Sequence, residues 1–281
     1  MHKQSILIDN EQLKALGAEA VVFDCRFSLA SFAEGPAAFD EGHICGAEHL
    51  NMETDLSGPK TPGAGRHPLP EKAALQARLR AAGVNDDSHI VLYDSNRFAG
   101  AARAWWLLTY FGFKQVHILD GGLPAWEAAG EALDDTSSPT RPEGNVTLNE
   151  GNADMRVLMT DVQAGLDASK TLVDARELER FQGLAEPIDP VAGRIPGAVN
   201  LPWQGIADAQ GLALSGAQLA ARWDALQLAG TPVHYCGSGV TAAVNALSLA
   251  LAGRDIGQMY CGSFSEWCAQ ESNTVEHDRR E

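Results

Sequence analysis

"TPVHYCGSGVTAAVNALSLALAG", Thr231 to Gly253, joins a short β-branched and aromatic run to a cysteine, a glycine-bearing turn and an alanine-rich apolar run. The run ending at Cys236 has the length and composition of a buried strand. Val240 to Gly253 is long enough and apolar enough for a buried helix, and its final glycine marks the stop. Cys236 therefore stands at the carboxyl end of a strand, just ahead of a helix. Gly237 and Gly239 leave the intervening backbone free to curl. A short apolar strand feeding a helix is the building unit of a parallel sheet covered on both faces.

The same unit occurs in the first half of the chain. "HIVLYD" (His89 to Asp94) reads as a buried strand, "AGAARAWWLLTYFG" (Ala99 to Gly112) as a helix stopped by glycine, and "QVHILDGG" (Gln115 to Gly122) as the next strand. Three further pairs show that the whole chain is written twice: "VVFDCR" with "TLVDAR", "GHICGAEHL" with "GRIPGAVNL", and "GGLPAW" with "CGSFSEW". Asp24 then matches Asp174 and His43 matches Arg194 at nearly one offset. Trp126 and Trp267 fall short of it, as if a loop were shortened late in the second copy. The fold class is α/β: two tandem domains, each a parallel sheet flanked by helices. The expected boundaries are 1–132 for the first domain, which lacks a catalytic cysteine, and 147–281 for the second, catalytic one. Residues 133–146 between them, rich in Asp, Ser and Pro, read as a semi-stiff linker.

Composition narrows the function. The formal charge is −16 in 281 residues, which opposes binding to nucleic acid or an anionic membrane, because both demand patches of Lys and Arg. "MHKQSILIDN" lacks the basic and apolar regions of a signal peptide, and no apolar run approaches the length of a membrane span. Five cysteines without a C-x-x-C pair suggest neither a disulfide framework nor a zinc site, and fit a reducing compartment. A cytoplasmic protein without metal or organic cofactor is expected.

In open parallel sheets ligands bind beyond the carboxyl ends of the strands, which is where Cys236 stands. The loop "CGSGVT" can turn successive amides inward, and with the positive end of the helix these form a cradle for negative charge on the cysteine. The equivalent loop of the first copy, "DSNRFAG", carries Asp94 instead, so one copy can be the catalyst and the other a scaffold. Cys25, Cys45 and Cys268 read as structural. Cys261, at a strand end, reads as near the site with a packing role.

These features together resemble the rhodanese superfamily, and within it the two-domain 3-mercaptopyruvate sulfurtransferases: the tandem repeat, the paired "DCR" and "DAR", the "GHICGA" and "GRIPGA" turns, and above all "CGSGVT". The resemblance implies a ping-pong sulfur transfer through a persulfide on Cys236. The loop residues Gly237, Gly239, Val240 and Thr241 would hold the transferred sulfur. Thiosulfate-using relatives carry Arg and Lys beside the cysteine, whereas this loop has Gly237 and Ser238, which favours a monocarboxylate donor. By resemblance, Arg180 in "DARELERFQG" grips that carboxylate. Arg176 instead pairs structurally with Asp174, as Arg26 does with Asp24. A second carboxylate-binding arginine belongs where this chain has Ile188, and Arg194 is the candidate to compensate. The resemblance also implies a proton relay of Ser238, His67 and Glu53. Reduced thioredoxin, a small thiol or, in an assay, cyanide would accept the sulfur, and the repeat fits a monomer. Thiosulfate sulfurtransferase activity and a non-catalytic sulfur-relay module are the alternatives. A phosphatase would need an arginine closing the loop, where the chain has Ala242 and Ala243.

Overall fold

The computed structural model describes residues 6–136 and 141–278; residues 1–5, 137–140 and 279–281, which include part of the expected linker, lie outside it. Two compact units emerge. One comprises Met1–Gly58, Pro70–Asn152 and Ala207–Ala213, the other Pro59–Leu69, Ala153–Ile206 and Leu214–Glu281.

The first unit contains strands β1 (Leu7–Ile8), β2 (Ala20–Asp24), β3 (His43–Ile44), β4 (Glu48–His49), β5 (His89–Tyr93), β6 (Val116–Leu119) and β7 (Leu133–Asp134). Its helices are α1 (Asn10–Leu16), α2 (Glu34–Glu41), α3 (Lys72–Ala81), α4 (Ala99–Tyr110) and α5 (Gly122–Ala128). Five strands form a parallel sheet in the order β1-β6-β5-β2-β4, and β3 pairs antiparallel with β7. The second unit contains β8 (Arg156–Val157), β9 (Lys170–Asp174), β10 (Val199–Asn200), β11 (Thr231–Tyr235) and β12 (Gln258–Tyr260). Helices α6 (Met159–Gln163), α7 (Leu178–Phe181), α8 (Gly216–Asp224), α9 (Ala242–Leu251) and α10 (Ser263–Trp267) complete it. Its parallel sheet runs β8-β12-β11-β9-β10, which repeats the first sheet strand for strand.

The duplication extends to register. Asp24 lies opposite Tyr93 in the first sheet and Asp174 opposite Tyr235 in the second. Each tyrosine hydroxyl accepts a backbone N–H, from Ile44 at 3.2 Å and from Ile195 at 3.3 Å. Each buried aspartate holds the arginine two residues on at 2.6 Å, and each arginine reaches across to the carbonyl of Gly42 or Gly193. Buried carboxylates need such partners, because an unpaired one would cost several kcal/mol. The "DCR" and "DAR" repeats are therefore structural fastenings at the ends of β2 and β9.

Hydrophobic burial on both faces explains the apolar strands. In β11, Val233 and Tyr235 join Ile195, Phe264 and Trp267 in one cluster. The alternate residue, His234, turns to the other face, where Trp223 meets it edge-on at 5.5 Å. Every residue of α9 from Ala242 to Leu249 is buried, as its lack of a polar face requires.

Within the stretch 133–146, Leu133 and Asp134 form β7, and Gly144 and Val146 donate their N–H groups to Arg80 and Val84 carbonyls at 2.8 and 3.1 Å. Val146 and, just beyond it, Leu148 are buried. The two compact units do not divide at a single point of the chain. Pro59–Leu69, from the first sequence copy, belongs to the second unit, and Ala207–Ala213, from the second copy, belongs to the first.

Candidate active site

The short strand β11 ends at Tyr235, and the next residue is Cys236, only 2% exposed. The chain turns at Gly239 in the left-handed region (φ 83°), and a β-carbon there would collide with the Cys261 carbonyl oxygen. That turn aims the Gly239 N–H at the Cys236 sulfur, 3.1 Å away. Helix α9 begins three residues later, so its positive end faces the same sulfur-bearing loop. The loop is stapled from behind: Phe264 and Ser265 donate N–H groups to the carbonyls of Cys236 and Gly237 at 2.9 and 2.8 Å. The Ser263 hydroxyl accepts the Cys236 N–H at 3.2 Å and donates to the Tyr260 carbonyl at 3.0 Å.

The strap Pro59–Leu69 supplies the next groups. His67, 2% exposed, has its Nδ1 2.8 Å from the Ser238 hydroxyl, itself buried. A proton can pass between these atoms in either direction, depending on the ring tautomer. The strap is held close because Gly65 has no side chain. A β-carbon there would stand 2.5 Å from the Gly262 carbonyl oxygen. Arg66 donates its backbone N–H to the Ser265 hydroxyl at 3.0 Å.

Arginines and carboxylates surround the loop. Arg180 in α7 grips Glu186 through Nε and Nη2, with the shortest contact at 2.8 Å, and reaches Asp189 at 3.0 Å. Burial works against the Glu186 carboxylate. Hydrogen bonds from Arg180 and from the N–H groups of Asp189 and Ile188 outweigh burial and hold its pKa below the usual carboxylate range. Asp189 also pairs with Arg66. Arg176 is 1% exposed, bound to Asp174, Glu186 and the Gly193 carbonyl, with its guanidinium 4.0 Å from the centre of the Phe264 ring. Burial disfavours its charge, but Asp174 and Glu186 overcome this and raise its pKa. It is the structural residue its pairing implies.

Arg194 is engaged elsewhere. Its guanidinium binds Asp278 at 2.8 Å, lies 3.5 Å from Glu276, and covers the Phe181 ring at 4.6 Å. These contacts fasten the C-terminal segment to the rest of the second unit. Ile188 itself is 44% exposed, while its neighbour Asp189 turns inward. Glu53 belongs to the first unit, in the turn after β4, with its N–H on Asn51 Oδ1 at 2.8 Å. Arg66, Glu186 and Asp189 also belong to this cluster, and each lies within two residues of a position singled out in the sequence, His67 or Ile188. The available signal was opposite charge on two glycine- and proline-bearing loops.

Burial pushes the Cys25 thiol well up, and burial together with the nearby Asp189 raises Cys268 to about 11. Cys261 is buried, its thiol directed at the Met259 carbonyl, and its backbone meets the turn at Gly239. A cavity of about 440 Å³ lined by Trp223, Leu228 and Pro232 opens at the opposite, N-terminal end of β11, and no cysteine lines it.

The first unit shows what the same loop does with a carboxyl side chain in place of the thiol. Asp94, at the end of β5, accepts N–H groups from Asn96, Phe98, Gly100 and Ala101 at 2.8 to 3.2 Å. Burial still raises its pKa, with those four amides opposing the shift. At the matching position of the second copy the Gly239 N–H is directed at the Cys236 sulfur.

A duplicated parallel sheet with an amide-cradled cysteine at one strand end defines the rhodanese class, and the rhodanese-like domain model matches residues 9–129 and 158–270. The chain belongs to that family. It is 45% identical over 280 residues to a Pseudomonas aeruginosa protein named "Probable 3-mercaptopyruvate sulfurtransferase", covering 96% of this chain and 97% of that one. A Mycobacterium tuberculosis relative, "Putative thiosulfate sulfurtransferase SseB", is 41% identical over 263 residues, covering 92% of this chain and 91% of its own. Among solved structures, the 3-mercaptopyruvate sulfotransferase SseA of Escherichia coli superposes with a TM-score of 0.80 at 30% identity, over 93% of this chain and 99% of that one.

Proposed function

We propose that the chain is a sulfurtransferase that moves sulfur from 3-mercaptopyruvate to a thiol acceptor, releasing pyruvate. The observation that carries this reading is the convergence on one loop of the Cys236 sulfur, the Gly239 N–H, the Ser238–His67 pair and the Arg180 guanidinium. The Cys236 thiolate attacks the thiol sulfur of the donor, whose carboxylate rests on Arg180. An S–S bond forms, the S–C bond breaks, and the electron pair leaves on carbon as the enolate of pyruvate. The proton from the donor thiol passes through Ser238 and His67 to that carbon. The outer sulfur of the persulfide rests among the amides of residues 237–241, in the manner of the Asp94 carboxylate in its own nest. An acceptor thiolate then attacks that sulfur and restores the Cys236 thiolate.

Charge supports a monocarboxylate donor. The guanidinium groups of Arg66, Arg176 and Arg180 are matched by the buried carboxylates of Asp174, Glu186 and Asp189, so the surroundings are formally neutral. A monoanion adds one charge to this cluster and thiosulfate adds two, at a higher desolvation cost. The name of the mycobacterial relative favours the second reading, thiosulfate as donor. The ratio of kcat/KM for the two donors decides, with 3-mercaptopyruvate expected to exceed thiosulfate by at least about tenfold, or ~1.4 kcal/mol. A ratio below one would reverse the assignment.

Reduced thioredoxin or a small thiol as acceptor, a monomeric state and a cytoplasmic location belong to the same reading. All five cysteines are unpaired, which suits a reducing compartment, and among the described residues no helix is long and apolar enough to cross a membrane.

A further inference from the structure

The geometry points to Arg66 as a second carboxylate anchor for the donor, one that replaces from the strap Pro59–Leu69 the cation missing from the Cys236 loop. This rests on the sulfurtransferase reading above and adds to it a residue that sets donor specificity.

Three observations place the guanidinium at the site. A β-carbon built on Gly237, the residue after the nucleophile, would lie 2.8 Å from Arg66 Nη2 and 3.3 Å from Arg180 Nη2. The two guanidinium groups therefore flank one point beside Cys236, and Arg66 occupies volume that a side chain at position 237 would claim. Asp189, whose side chain is fully buried, divides its carboxylate between them: Oδ1 pairs with Arg66 Nη1 and Oδ2 with Arg180 Nη2. The Asp189 contact takes Nη1 of Arg66, and the other end, Nη2, is the one at Gly237. Finally, the strap is fixed on both sides of the side chain, by Gly65 against Gly262, by the Arg66 N–H on Ser265 and by His67 on Ser238. One segment thus delivers both the cation and the proton relay.

Side-chain exposure separates the roles. Arg176 is 1% exposed and closed in by its partners, whereas Arg66 is 29% and Arg180 12% exposed, enough for a small anion to reach both. Asp189 fixes where the two guanidinium groups sit, and such preorganised forks suit a carboxylate better than flexible ammonium groups.

The test is single-turnover persulfide formation on the whole protein with two donors, 3-mercaptopyruvate and its primary amide, 3-mercapto-2-oxopropanamide. The readout is the ratio of their second-order rate constants. For Arg66→Met the ratio should fall roughly 10- to 100-fold, the range expected for losing a charge-assisted hydrogen-bond pair. Arg66→Lys, which keeps the charge and the strap packing, should fall between the wild type and Arg66→Met. Discharge of a preformed persulfide by a thiol should be unaffected. An unchanged ratio in both variants overturns the inference, even if both rates drop, because a purely structural role slows the two donors alike. If the wild type takes no sulfur from the keto acid, it is the sulfurtransferase reading that fails.

Discussion

His234 stands two residues before the nucleophile and is fully buried, with Nε2–H donating to the Ile256 carbonyl at 2.8 Å. Burial lowers its pKa from the ordinary 6.5 to about 4, the carbonyl bond opposing the shift. Since the folded value is depressed, the unfolded chain binds a proton first on acidification. The contribution is complete above pH 6.5 and lost as the pH falls toward 4, a change of roughly 3 kcal/mol. In urea titrations the stability of the wild type relative to His234→Gln should fall by about that amount between pH 7 and 4; parallel curves would contradict it. At this scale legibility depended on contiguity. Cys236 and Ser238 are readable because strand, glycines and helix follow one another along the chain. Arg66 is not, since a lone arginine in a glycine- and proline-rich loop has no periodicity, and its partner Asp189 is brought to it only by folding. The partners of Arg194 are hidden for the same reason, since they lie at residues 276 and 278, remote in sequence.

Among the elements, the strap Pro59–Leu69 carries most of what the fold adds to the cysteine loop. It has no regular secondary structure, so hydrophobic periodicity could not place it, whereas β11 and α9 follow directly from their apolar runs. Its position depends on backbone proximity at Gly65. Gly65→Ala would set a β-carbon 2.5 Å from one backbone atom and 3.0 Å from another in Gly262, so the strap must move. The expected cost is about 1–3 kcal/mol of stability, as for other overpacking. Sulfur uptake should suffer more than that, because Arg66 and His67 shift together. Full uptake at wild-type rate in Gly65→Ala, measured in single turnover, would show that the strap's register does not matter to the site.

Across the whole molecule, one sheet topology is written twice and used for two purposes. Both copies keep the buried Asp–Arg fastening and a turn of amides beyond the central strand, but the first directs four N–H groups at Asp94 and the second directs the Gly239 N–H at Cys236. The repeat was legible because its anchors are fastenings with one allowed chemistry. The exchange of Pro59–Leu69 and Ala207–Ala213 was not, because a boundary drawn along the chain cannot show which core a loop joins. The central claim is that the cradled sulfur of Cys236 receives a second sulfur from 3-mercaptopyruvate. Intact mass spectrometry of the whole protein after exposure to that donor tests it most directly. The wild type should gain the mass of one sulfur atom and lose it again on adding a thiol, while Cys236→Ser gains nothing. No gain in the wild type, or an equal gain in Cys236→Ser, would contradict the account.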